Sequence, residues 1–375
     1  MSRDRIRLLL TVDTVGGIWQ YALDLARALA PHGVDTVLAL TGPPASDPQR
    51  QDARAIPGVR VVDTGIALDW LAADAATLSD GGRRIAAIAA SEAVDIVQLN
   101  APALAAGGAF RQPVVAVAHS CVATWWQAVR SGPLPSDLAW RARLHGAGLR
   151  RAARVVAPTQ AFADATQATY RLETRPTAVL NGRALAPGPT AAMHDFAFTA
   201  GRLWDAGKNV AVLDQIAARL AIPFKAAGAT TGPQGEAVTC DHLCLLGRVE
   251  DRAIARHLAA QPVFVSAARY EPFGLAVLEA AAAGCPLILS DIPTFREIWG
   301  DSALFIDPDD VDGFARMIDR VVGDIPLRRH LGAQARARAH RYRPDAMASG
   351  MLAIYRDLLS QRDAVTRVGT PEMAA

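Results

Sequence analysis

Cysteine is scarce: Cys121, Cys240, Cys244 and Cys285 are the only four in 375 residues, and they are scattered. So few cysteines leave no room for a disulfide framework and fit a reducing compartment. No uninterrupted apolar run approaches the ~18 residues that mark a membrane-crossing helix. The opening, MSRDRIRLLLTVD, starts basic, but its apolar run is too short for a signal peptide and no small-residue cleavage site follows. A cytoplasmic enzyme is therefore expected, with at most peripheral contact at the inner membrane face. Charge of one sign is missing as well. Lys and Arg number 39 and Asp and Glu 37, for a net charge of +2, so composition makes no case for nucleic acid as a partner.

Several active-site signatures are also absent. There is no G-x-G-x-x-G dinucleotide fingerprint, no G-x-S-x-G elbow and no G-x-x-x-x-G-K-[ST] loop. Cys240-Asp241-His242-Leu243-Cys244 offers three candidate zinc ligands but has no second knuckle. DPDDVDG, residues 307–313, has Val311 at the fifth calcium-loop position and Asp312 where glycine is needed. An acidic N-cap for the next helix accounts for it better.

What is present is a packed chain, 51% apolar and 20% charged, and long enough for two domains. Residues 6–12 are a continuous apolar run, as in a strand covered on both faces. Asp13 to Gly17 make a loop, a helix is expected from about residue 18 to 30, and 34–40 is the next strand. This βαβ opening implies a parallel sheet with helices on its faces. Further strands are expected at 59–62, 95–99, 114–118, 155–157 and 177–180, ending in polar residues such as Asn100 and His119-Ser120. His119 either belongs to a site or merely ends its strand. Residues 184–195, rich in Pro, Gly and Ala, read as the linker. A second run of strands follows at 196–200, 224–227, 243–246, 263–266, 286–289 and 303–306, with helices between. The fold class is α/β, two Rossmann-like doubly wound domains facing across a cleft. The expected domains are 1–185, 186–344, a helix at 345–360 and a frayed tail at 361–375. Residues 124–154 hold Trp125, Trp126 and Trp140 among six arginines, which suits either a solvated helix or an anionic membrane surface.

The chemistry gathers in 270–291, YEPFGLAVLEAAAAGCPLILSD. It reads as loop, helix and strand, with Glu271 and Glu279 eight positions apart around a helix start. The start of a helix offers N–H groups and a positive dipole end to an anion such as phosphate. Acids there need another reason, and sugar hydroxyls supply one. Upstream, GRLWDAGKN (201–209) follows a strand and places Arg202 and Lys208 six apart, a spacing that lets two cations converge on a diphosphate.

These segments together resemble retaining glycosyltransferase family 4 (the group 1 glycosyltransferases), of GT-B architecture. The resemblance rests on Gly16-Gly17 after the first strand, GRLWDAGKN, the E-x7-E of Glu271 and Glu279, and LFIDP at 304–308. It implies a helix at 346–359 returning to the first domain. It implies that Arg202 and Lys208 neutralise the donor diphosphate. Glu271 holds the transferred sugar, with the N–H groups of Phe273, Gly274 and Leu275, and Glu279 accepts from the ribose. Gly16 and Gly17 admit phosphate and acceptor, His119 lies near the 6-position of the donor sugar, and the Val249 backbone lies near the base. Catalytic roles thus fall to Glu271, His119, Arg202 and Lys208, with no metal and no cofactor beyond the nucleotide-sugar co-substrate. The expected partners are a UDP-sugar first, or a GDP-sugar, and a sugar or lipid-linked acceptor for surface polysaccharide or glycolipid. A nucleotide-sugar epimerase and a non-catalytic nucleotide-sugar binding protein share this architecture and stay open.

Overall fold

The computed structural model describes residues 5–184 and 191–368. The chain divides into two compact units. One comprises the residues up to Thr124, then Pro133–Gly182, and the chain from Pro344 onward; the other comprises Trp125–Gly132 and Arg183–Arg343.

The first unit is built on seven strands: β1 (Ile6–Asp13), β2 (Val34–Thr41), β3 (Val59–Ile66), β4 (Ile96–Leu99), β5 (Val114–Val117), β6 (Arg154–Ala157) and β7 (Thr177–Ala178). They pair in the order β3-β2-β1-β4-β5-β6-β7, all parallel. β1 explains the centre of this sheet. Leu8, Leu9, Leu10 and Val12 are fully buried, because helices cover both faces of the sheet and most side chains there must be apolar. The helix Gly17–Leu29 lays Trp19, Ala22, Leu25 and Leu29 on one face, where Met347, Met351, Leu352 and Tyr355 of the helix Pro344–Val368 join the same core.

The second unit has six strands: β8 (Ala197–Ala200), β9 (Phe224–Ala227), β10 (Cys244–Gly247), β11 (Val263–Ser266), β12 (Leu287–Ser290) and β13 (Leu304–Ile306). Their order is β10-β9-β8-β11-β12-β13, again all parallel. Both sheets therefore reverse direction beside their first strand, between β1 and β4 and between β8 and β11. Open α/β sheets bind ligands outside the carboxyl ends of strands at such a switch point.

Three sequence expectations change. The last helix does not stop at 360 but runs on to Val368, so 361–368 is helical rather than frayed. Residues 125–132, read as part of the first domain, belong with the second unit, and the chain passes from one unit to the other at Gly182–Arg183. Of the expected linker 184–195, residues 185–190 lie outside the described residues, as do 369–375 of the expected tail.

The tryptophan segment is two helices, Val122–Val129 and Ser136–Arg151, separated at 130–135. Several of its polar groups are used within the chain. The indole nitrogen of Trp126 donates to Gly132 O at 3.1 Å. The Arg141 guanidinium lies 4.7 Å from the centre of the Trp140 ring and donates to Asp69 O and Ala72 O at 3.0 and 2.9 Å.

In the second of these helices His145 is buried, stacked on Tyr170 with centroids 5.3 Å apart, and its Nε2 has no partner. Burial pushes its pKa down to about 4. The folded chain thus excludes a proton that the unfolded chain binds below the ordinary value near 6.5, so stability is lost as pH falls from about 6.5 towards 4. The expected loss at pH 4 is about 3 kcal/mol for this group. Urea titrations across that range should show His145→Phe flattening the acid limb; an unchanged limb would rule His145 out.

Candidate functional site

β8 ends at Ala200, and the loop 201–209 that follows folds on itself. Asp205 N donates to Arg202 O at 3.0 Å, and Lys208 N to Asp205 O at 2.8 Å. The Asp205 carboxylate organises the loop. One oxygen accepts from Gly207 N at 2.8 Å and from the Trp125 indole nitrogen at 2.9 Å, and the other takes Arg202 Nη2 at 3.2 Å. Arg202 is otherwise open to solvent, its guanidinium 5.8 Å from the centre of the Trp204 ring.

Lys208 reaches the loop after β11, where its Nζ pairs with Glu271 Oε2. The two loops are joined by backbone as well, since Arg269 N and Tyr270 N donate to Gly207 O at 3.0 and 3.3 Å. Glu271 is fixed from behind by Thr294 Oγ1, which donates to its carbonyl at 2.7 Å. Gly274 then caps the helix Leu275–Ala282 with φ of 92°. That left-handed conformation suits glycine, and a side chain there would also crowd Phe295 at 3.1 Å and Glu271 at 3.3 Å. Phe273 is buried with its ring edge-on to Tyr342, and Leu275 is half-buried at the helix start. The first N–H groups of this helix have no partner within the helix. They share the carboxyl edge of the sheet with Lys208, so cation and dipole reinforce each other at the place where an anion would lie.

Glu279, one turn further on, is held by Arg183, whose Nε lies 2.6 Å from Glu279 Oε1. Val249 follows β10, half-buried against the core of this unit.

In the first unit, Gly16 and Gly17 follow β1 and start the helix Gly17–Leu29; both are exposed. His119 follows β5 in a chain of buried polar groups. Asn100 Nδ2 donates to Thr11 O at 2.7 Å, which turns its Oδ1 to Gln98 Nε2 at 3.2 Å and His119 Nε2 at 3.0 Å. Burial lowers the His119 pKa to about 4, so the ring is neutral near pH 7. With Nε2 donating to an acceptor oxygen, Nδ1 is left as an acceptor. The ring packs edge-on to Tyr21, 4.6 Å between centroids. Tyr21 OH accepts from Gln98 Nε2 at 3.2 Å, and Tyr355 OH donates to Gln98 Oε1. The helix Pro344–Val368 thus supports the network behind His119.

Gly16 permits a clean prediction. A Cβ at this position would meet no atom within 4 Å, and its φ of −152° is open to any residue. Gly16→Ala should keep stability within about 1 kcal/mol yet reduce turnover about 10- to 100-fold by displacing a ligand from the backbone. Unchanged turnover in the folded variant would remove Gly16 from the site.

Known families match both units. The family described as Glycosyltransferase Family 4 matches residues 15–185, and the one described as Glycosyl transferases group 1 matches residues 236–338. The chain belongs to the family 4, group 1 glycosyltransferases. Curated relatives of this family 4 chain match along shorter stretches. A phosphatidyl-myo-inositol mannosyltransferase of Mycolicibacterium smegmatis is 32% identical over 117 residues, 30% of each chain. An O-antigen chain mannosyltransferase B of Escherichia coli is 35% identical over 97 residues, 26% of each chain. The matched stretch therefore spans under a third of these relatives' lengths. Solved structures share the GT-B fold. Sucrose-phosphate synthase of Thermosynechococcus elongatus superposes with a TM-score of 0.76 at 19% identity, covering 95% of this chain and 100% of that one. HepE of Anabaena, solved with UDP and glucose, superposes with a TM-score of 0.69 at 17% identity, covering 93% and 99%.

Among the residues expected from sequence, the structure joins Lys208 to Glu271 directly and sets Phe273, Gly274 and Leu275 beside them. Arg202 pairs with Asp205 and Glu279 with Arg183, while Gly16, Gly17 and His119 belong to the first unit of this family 4 chain. Sequence reasoning missed Asp205, Arg183, Thr294 and Asn100 as supports. Asp205 alone left a readable trace, an N-cap acid two residues before a glycine turn.

Proposed function

We propose that the chain is a retaining glycosyltransferase that moves a sugar from a nucleoside diphosphate, UDP first and GDP second, to an acceptor in surface polysaccharide or glycolipid synthesis. One observation carries this reading: Lys208, Glu271 and the start of the helix Leu275–Ala282 meet at the carboxyl edge of the second sheet, at its switch point. A primary ammonium has three donors. One held by Glu271 leaves two for diphosphate oxygens, so a single side chain orients the sugar-binding acid and meets the leaving group. Heterolysis of the anomeric bond leaves its electron pair on the β-phosphate oxygen, adding one negative charge to those the diphosphate already carries, while the sugar becomes oxocarbenium-like. Lys208, Arg202 and the helix-start dipole are in place before that charge develops, which is the most effective form of electrostatic stabilisation.

Glu271 holds sugar hydroxyls in this scheme, and the departing phosphate takes the acceptor proton on the face it leaves. A double displacement through a carboxylate pair is not required. His119 accepts from a sugar hydroxyl through Nδ1. The two mannosyltransferase relatives support a lipid or polysaccharide acceptor, and HepE, solved with UDP and glucose, supports UDP as the first nucleotide to try.

A thermal-shift panel of UDP-, GDP- and ADP-sugars tests the reading, since a ligand bound only by the folded chain raises its stability by mass action. The expected result is a concentration-dependent rise with one nucleotide series and transfer to an acceptor with retained configuration. No rise with any of them, or a 2-epimer of the donor as product, would overturn it.

A further inference from the structure

We propose that Trp125 is a positioning residue for Arg202: its indole N–H steadies the Asp205 carboxylate, which can then aim Arg202 and still release it to a diphosphate. The inference rests on the donor site proposed above and extends it to a side chain 80 positions before Asp205. Trp125 belongs to the short segment Trp125–Gly132, which counts with the second unit although stretches of the first unit flank it in sequence. Its ring is held by two neighbours. It packs at a tilt against Trp126, 6.3 Å between centroids, and the Arg130 guanidinium lies 5.8 Å from its centre. Trp126 is itself tied to Gly132 O. Gly207 leaves the space the indole uses, since a Cβ there would lie 3.1 Å from both Trp125 Nε1 and Asp205 Oδ1.

The donors to Asp205 are unequal. Gly207 N at 2.8 Å and Trp125 Nε1 at 2.9 Å are neutral and share one oxygen. Arg202 Nη2 stands at 3.2 Å from the other, which is long for a charge-assisted bond. The Asp205 side chain is 10% exposed and that of Arg202 53%. A carboxylate so far out of water needs other donors if its cation is to leave, or the departure is costly. Gly207 and Trp125 supply them. Arg202, loosely held and half in solvent, gives up little when it exchanges Asp205 for phosphate oxygens. Without the indole, Asp205 would depend more on Arg202 and compete with the donor for it.

The test is a double-mutant cycle on the dissociation constants of UDP and GDP, read by calorimetry without acceptor. For whichever diphosphate wild type binds, Trp125→Phe should weaken binding about 3- to 10-fold, the worth of one hydrogen bond. In an Arg202→Ala background the same change should cost less than about twofold, because the side chain it acts through is gone. A purely structural role for Trp125 would give the same loss in both backgrounds. That result, or no loss at all in a folded Trp125→Phe, overturns the proposal. A second readout uses the native ring. The indole N–H resonance of Trp125 should shift as the diphosphate saturates wild type, because its acceptor loses Arg202, and should hold still in Arg202→Ala. A resonance that holds still in wild type, or moves equally in both, also overturns it. Wild type that binds neither diphosphate overturns the donor site itself, and this inference with it.

Discussion

Replacing Lys208 by alanine is expected to lower turnover about 30- to 1000-fold, a loss of about 2–4 kcal/mol in transition-state stabilisation. The magnitude follows from the double duty of the side chain. Its Nζ is the partner of Glu271 Oε2, so on the proposed reading the variant removes a cation from the leaving group and releases the acid proposed to hold the sugar. Stability should fall by about 1 kcal/mol, because a partly buried carboxylate loses its partner. The two effects separate in Lys208→Met combined with Glu271→Gln, which removes both charges at similar volume. Stability should return to near wild type while turnover stays low. Arg202→Ala should lose a comparable amount of turnover with almost no effect on unfolding, since Arg202 is exposed. Steady-state kinetics beside urea unfolding would decide, and either alanine variant with wild-type donor affinity and turnover would sink the diphosphate assignment.

The second large effect is structural in origin. Gly228 follows β9 with φ of +143°, and a Cβ there would lie 1.7 Å from the carbonyl oxygen of Gly201. Neither backbone can yield freely. Gly228 N donates to Gly247 O at 2.8 Å, and Gly201 N to Ala227 O at 3.0 Å. Gly228→Ala must therefore push Gly201 away, and Arg202 is the next residue. The expected cost is about 2–4 kcal/mol of stability, combining an unfavourable φ with overpacking, or roughly 5–15 °C in melting temperature for a unit of this size. Nucleotide affinity should fall with it. Gly235→Ala is the control. Its φ is +90° but a Cβ there meets nothing within 4 Å, so it carries the backbone term alone, about 1–2 kcal/mol. Equal losses in the two variants would mean that the clash with Gly201 is relieved without cost.

Much of this was legible in the residues. The apolar runs around Leu8–Leu10 and Val263–Val265 read as strands covered on both faces, and the thirteen strands among the described residues each overlap a run read as a strand. The register of helix and strand punctuation put Gly16, His119, Arg202 and Glu271 at carboxyl ends of strands, because a parallel sheet brings those ends to one edge. The extent of the last helix was misjudged, because the polar residues beyond 360 carry no apolar period, yet they continue a helix already nucleated by the packing of Met351 and Tyr355.

The sequence by itself determined the two parallel sheets, the family and the acids and cations of the candidate site, since these depend on local periodicity and short motifs. Only the tertiary structure decided the pairings. Lys208 with Glu271 spans 63 positions, Asp205 with Trp125 spans 80, and Tyr355 with Gln98 spans 257. No local pattern encodes such partners, because they arise when strand order and helix packing bring distant loops together. The sequence placed two acids beside a helix start that favours anions. The fold set a cation against each, Lys208 on Glu271 and Arg183 on Glu279, so neither acid stands as an uncompensated charge.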